Sequence, residues 1–146
     1  MDGSINSPGN PLGETLHYLK LSGVFYCKSD LRSNWGVSLP SMPGTSIFHI
    51  ITAGSCLIEH GEQVIELKAG DFVFIPKGQG HIFRSDSKAK APDLFDLPRN
   101  QISHNYETMS LGEEEGEEKT TMLCGVVRLE HPSAELIINS MPDMIY

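Results

Sequence analysis

Apolar residues in this chain come in short runs separated by turn residues, the pattern of many brief strands and few helices. Phe72-Val73-Phe74-Ile75 is the clearest run. Its aromatic and β-branched composition suits an inner strand, Gly70-Asp71 ahead of it suits a tight turn, and Pro76, which has no N–H to donate, ends the ladder. Gly78 and Gly80 then allow a sharp bend that sets His81 at the start of a new strand, with Ile82 and Phe83 behind it. A histidine fixed in this way is either a core residue or a ligand.

The remaining elements follow by the same logic. Val24 to Cys27 is strand-like, and Trp35, Val37 and Leu39 alternate with Gly36 and Ser38 at the period of a half-buried strand. Ile47 to Thr52 is apolar at nearly every position, so it is a strand covered on both sides, and alternation does not say which side chains face inward. Leu57 to Leu67 reads as a hairpin around His60-Gly61-Glu62, and Thr120 to Leu129 as a late strand, again apolar on both faces. Leu12, Leu16 and Leu19 recur at helical spacing, which predicts a short amphipathic helix over Leu12 to Leu21, ended by Gly23. A second short helix is predicted from Ser133 to Asn139 after Pro132. Met141-Pro142 and Met144-Ile145-Tyr146 make an apolar tail whose natural place is against another element.

Between Ser85 and Lys119 the composition turns to Ser, Lys, Asp, Pro, Asn and Glu, with Leu94-Phe95 as the sizeable apolar island. This reads as a long, partly mobile insertion at 85–119, longer than loops in compact domains usually are. The first ten residues, 1–10, are polar and turn-rich and read as a disordered leader to one domain, 11–146. A chain of 146 residues is able to bury roughly two-thirds of its unfolded surface.

Charge narrows the function classes. The net charge is −8, and the run Glu113, Glu114, Glu115, Glu117 and Glu118 accounts for five of those charges, so acidity belongs to one loop more than to the fold. Without a basic patch, direct binding to nucleic acid is not expected, because that affinity comes from Lys and Arg neutralising phosphates. No apolar stretch approaches bilayer-spanning length. The three cysteines, Cys27, Cys56 and Cys124, are an odd count without CxxC spacing, which fits reduced thiols and a cytoplasmic protein.

The spacing from Gly70 through Pro76 and Gly78 to His81 resembles the second motif of the cupin superfamily, and Phe48-His49-Ile50-Ile51-Thr52-Ala53-Gly54 resembles the strand and turn of the first. The resemblance implies an all-β fold, a cupin-type double-stranded β-helix (jelly-roll) barrel with short flanking helices. Metal-binding cupins carry His-x-His and a Glu in the first motif. Here no His lies between Leu39 and Phe48, and Ile47 stands at the Glu position. A narrower resemblance, to the N-terminal cupin domain of AraC-family transcriptional regulators, rests on Pro11-Leu12 with Leu16, Leu31, Trp35-Gly36, Phe48-His49, Gly54-Ser55-Cys56, Leu67 with Gly70-Asp71, Pro76, Gly78, His81 and Thr121-Met122-Leu123-Cys124-Gly125. It implies a domain that senses a small-molecule effector or mediates homodimerisation, with DNA bound through a helix-turn-helix domain not contained in this chain.

On the cupin alignment His49 faces inward near His81, and Cys124 on a separate late strand is the third candidate ligand of a zinc ion. Cys56 is the alternative thiol. Trp35, Phe48, Phe72, Phe74 and Phe83 are candidates for the wall of a ligand pocket or for plain core. Two functions are therefore carried forward: a non-catalytic effector-sensing and/or dimerisation domain, and a stand-alone metal cupin enzyme acting on a small molecule, against which the missing ligand motif speaks. The acidic balance also has a direct test. The chain is expected to give no salt-sensitive band shift of promoter DNA at submicromolar concentration, and a shift would show that a basic surface exists after all.

Overall fold

The computed structural model describes residues 21–32, 34–112, 119–129 and 133–146. They form two facing β-sheets. The first has six strands in the order β6-β3-β10-β1-β9-β8 and the second four, β2-β7-β4-β5. In chain order these are β1 (Leu21–Arg32), β2 (Gly36–Leu39), β3 (Ser46–Ala53), β4 (Ser55–His60), β5 (Gln63–Lys68), β6 (Phe72–Ile75), β7 (His81–Arg84), β8 (Asn100–Ser103), β9 (Tyr106–Leu111) and β10 (Lys119–Leu129). A short helix, α1 (Ala134–Asn139), follows them. The all-β barrel expected from the sequence is thus observed, with β6, the β4–β5 hairpin and the start of β7 at His81 where the turn residues put them.

The two turns around β6 show why. At the first, Asp71 Oδ2 accepts the Lys68 N–H at 2.8 Å while the Asp71 N–H donates to Lys68 O at 2.9 Å, closing the turn on both sides of Gly70, whose φ is +95°. At the second, Gly78 has φ +63°, and its carbonyl accepts the Met42 N–H at 2.8 Å, which ties this turn to the loop before β3. The apolar tail docks as expected: Phe74 and Ile145 exchange two backbone hydrogen bonds, 2.7 and 2.9 Å, on the outer edge of β6.

Two expectations need correction. The stretch read as an insertion at 85–119 carries structure over its described part. A 3-10 turn, Leu94–Asp96, is capped by the Asp93 carboxylate accepting the Phe95 N–H, and β9 pairs in parallel with β1 from Tyr26↔Tyr106 to Leu31↔Leu111. The reason is that β9 needs few apolar residues: its single fully buried side chain is Met109, and backbone pairing to β1 supplies the rest. Leu21, read as the end of a helix, begins β1 instead. The rest of that helix, the leader 1–10 and the glutamate run lie outside the described residues. No helix among the described residues is long and apolar enough to cross a membrane.

The core between the sheets is made by alternate residues. On β3, Ile47, His49 and Ile51 are wholly buried, and on β6 Val73 and Ile75, while Ile58 and Phe83 face them from the second sheet. The glycine turns allow a graded test. A Cβ at Gly78 would run into the Met42 and Thr45 carbonyls, whereas at Gly61, also left-handed with φ +60°, nothing stands within 4 Å. Gly61→Ala is expected to cost about 1 kcal/mol from backbone strain and Gly78→Ala roughly 3 kcal/mol or more from strain plus collision. Denaturant unfolding of both variants checks the order, and equal losses would contradict it.

Candidate functional site

His49 lies at the centre of β3, paired to Cys124 on β10 and to Val73 on β6. Its neighbours Phe48 and Ile50 face the other side of the sheet, so its imidazole is driven into the barrel, where it has no exposure at all. His81 enters from the opposite sheet, at the first residue of β7, and is 3% exposed. Both rings pack edge-on against Phe83, at centroid distances of 4.5 and 5.6 Å.

The polar atoms form a single chain. His81 Nδ1 lies 2.8 Å from the Gln79 carbonyl, His81 Nε2 lies 2.7 Å from His49 Nε2, and His49 Nδ1 lies 2.7 Å from Cys124 Sγ. A carbonyl only accepts, so His81 carries its proton on Nδ1 and its Nε2 is an acceptor. His49 must then donate from Nε2 and accept at Nδ1, which leaves the Cys124 S–H as the terminal donor. One assignment of neutral rings satisfies every nitrogen. The electrostatics agree with it. Burial, and then the His81 ring, hold His49 well below the ordinary imidazole range. Burial likewise lowers His81, against the Gln79 carbonyl, which pulls it up. Burial, reinforced by Cys27 and Cys56, pushes the Cys124 thiol well up.

The residues expected to hold zinc are thus brought together, yet not around one point. His49 uses its two nitrogens on opposite sides of the ring, one towards His81 and one towards Cys124, and a single ion reaches only one of them. No group of three or more His, Cys, Asp or Glu among the described residues is arranged to hold a metal ion. At the position where the cupin resemblance would put a carboxylate ligand stands Ile47, a buried hydrocarbon side chain. This donor set fits a hydrogen-bonded chain and does not fit a tetrahedral metal centre.

Cys124 and Phe83 also line a cavity of about 50 Å³ inside the barrel. Of the five aromatic residues expected to wall a pocket, only Phe83 does so. Trp35 is core, at 3% exposure, and its backbone N–H donates to the Ser85 hydroxyl. Phe48, Phe72 and Phe74 stand on the outer face of the first sheet, stacked at 6.1 and 6.5 Å, with Phe72 44% exposed. The alternation that turns His49, Val73 and Ile75 inward turns these three outward, and an inward His49 is the signal in the sequence that points to it. The cavity is walled instead by Cys27, Met42, Leu94, Met109 and Met122 among others, with Arg99 and Glu107 beside them. Most of these come from β1 and from the polar stretch between β7 and β10, where hydrophobic periodicity gives no signal.

Compared with known proteins, residues 10–146 match the family model described as Cupin. Solved structures similar to this chain include a cupin protein from Bacteroides fragilis, 18% identical with a TM-score of 0.46 over 77% of this chain and 72% of that one. Another is the Cupin_2 domain of an XRE family transcriptional regulator from Enterobacter cloacae, 11% identical, TM-score 0.44, over 86% and 95%. A third, an HTH_3 family transcriptional regulator from Vibrio cholerae, is 14% identical, TM-score 0.43, over 69% of this chain and 40% of that one, so the chain spans less than half of it. No curated protein sequence matches the chain.

The buried imidazoles make stability depend on pH. Both have folded pKa values below the unfolded value of about 6.5, so below that pH the unfolded chain binds more protons and stability is lost as pH falls. The slope is expected to approach about 2.7 kcal/mol per pH unit while both rings stay neutral in the folded state. On the alkaline side Cys56, pushed up to about 12 by burial and then by Asp71, and Cys124 act in the opposite sense, stability falling as pH rises above the unfolded thiol value. Denaturant unfolding from pH 8 to 5 checks the acid limb, and a flat profile between 6.5 and 5 would refute the neutral chain.

Proposed function

The chain belongs to the cupin family, and from that premise we propose that it is a non-catalytic, effector-sensing cupin domain of an AraC-type transcriptional regulator. The observation that carries this reading is the apolar cavity inside the barrel. The surface it presents is almost wholly carbon and sulfur, and Cys124, whose proton is already committed to His49, is part of it. Such a space favours binding a small apolar group over transforming one.

The alternative, an enzyme, would need either a metal or a thiolate. The donors do not converge on one ion, and a thiolate–imidazolium pair would place two charges in a site where burial raises the thiol and lowers the imidazole. The AraC assignment is supported by the motifs that run from Trp35-Gly36 to Cys124-Gly125. In this reading, occupancy of the barrel is what the domain reports to a DNA-binding partner domain.

A thermal-shift screen with small apolar and amphipathic metabolites tests it. A ligand at a hundred times its Kd is expected to add about 2.7 kcal/mol of stability. Met109→Trp, which fills the cavity, is expected to abolish the shift while the protein still melts cooperatively. An unresponsive protein, or a shift that survives Met109→Trp, would overturn the reading.

A further inference from the structure

We propose that the cavity takes a small α-amino acid with a branched aliphatic side chain, its carboxylate on Arg99, its ammonium on Glu107 and its side chain within the barrel. The inference rests on the effector-binding reading and names the chemistry of the effector. It begins from a contrast inside one cavity. Arg99 and Glu107 are the only charged side chains among the described residues that line it. They are 24% and 18% exposed, whereas Leu31, Ile47 and Phe83 in the same wall are essentially inaccessible, so the charged pair is the more solvent-accessible part of the lining.

The pair is held loosely. Arg99 Nη1 and Glu107 Oε2 approach to 3.3 Å without hydrogen-bond alignment, and that enclosed carboxylate oxygen has no hydrogen-bond partner. The guanidinium also lies over the Phe95 ring, 5.3 Å from its centroid, and Phe95 is itself 58% exposed. A guanidinium offers more donors than one such contact uses.

A ligand lodged between the two charges separates them, and what it carries then decides whether either is left alone. A simple carboxylate would satisfy Arg99 and strand Glu107, and a simple amine would do the reverse. Leaving one member of an enclosed ion pair without a partner is strongly unfavourable. A zwitterion gives each a partner of opposite sign and adds no net charge to a site that has none. The volume sets the remainder of the molecule. About 50 Å³ has room for roughly four water-sized groups, which suits the side chain of valine or leucine and excludes an aromatic ring. The wall at Cys124 accepts hydrocarbon, because the Cys124 proton points to His49 and offers the cavity no donor.

Titration calorimetry of the full chain with L-leucine, 4-methylpentanoate, 3-methylbutylamine and 3-methyl-1-butanol tests this. These probes share one branched chain and carry both charges, one, the other or neither. L-leucine is expected to bind at least about tenfold tighter than each of the others, and R99Q and E107Q are each expected to remove that preference. A singly charged or uncharged probe that equals L-leucine, or a preference that survives both substitutions, overturns the inference while leaving the effector reading in place. Failure of all four to bind also overturns the inference, and the thermal-shift screen then decides separately whether the effector reading falls with it.

Discussion

An imidazole buried without any exposure in an apolar barrel has to find partners for both of its nitrogens, and most of the architecture around His49 follows from that need. An unpaired ring nitrogen there would cost on the order of 1–3 kcal/mol. The acceptor side is met by a thiol on β10 and the donor side by a second imidazole on β7, so the requirement links the six-stranded sheet to the four-stranded one across the core. Gln79 supplies the last acceptor from the turn that Pro76 and Gly78 create. That turn is itself fixed by Met42 and by Ser46, whose hydroxyl donates to the Pro76 carbonyl at 2.7 Å. The two glycines and the proline serve the histidine as much as they serve the fold.

The arrangement of His49, His81 and Cys124 also differs from that of a metal centre by a simple substitution of roles. A metal centre asks several lone pairs to point at one ion. Here each lone pair is used by the next proton along, and Ile47 puts buried hydrocarbon at the position where the cupin resemblance would put a carboxylate.

Much of this is legible in the sequence, for reasons that differ by element. β6 and its turns can be read residue by residue because Gly70, Asp71, Pro76 and Gly78 each impose a backbone constraint that few other residues satisfy. The meeting of His49, His81 and Cys124 is legible only through the family motifs, since the three are far apart in the chain and periodicity is silent on β3. Where both faces of a strand are apolar, Phe48 and His49 look equally fit to face inward, and nothing local keeps Phe48 from being expected in a pocket wall. β9 is hidden for the opposite reason. Tyr106–Leu111 has almost no hydrophobic signature, because its strand character comes from a parallel ladder with β1, a non-local interaction that local composition does not encode.

The placement of β1 has a consequence for how the molecule comes into being. Its two neighbours in the sheet, β9 and β10, come after every strand of the second sheet in the chain. During synthesis β1 therefore emerges ahead of the other described strands and has no permanent partner until the polypeptide as far as β9 and β10 has left the ribosome. Its inward side chains, Phe25, Cys27 and Leu31, must wait in the open for that time. Part of the cavity wall is thus made early and enclosed late.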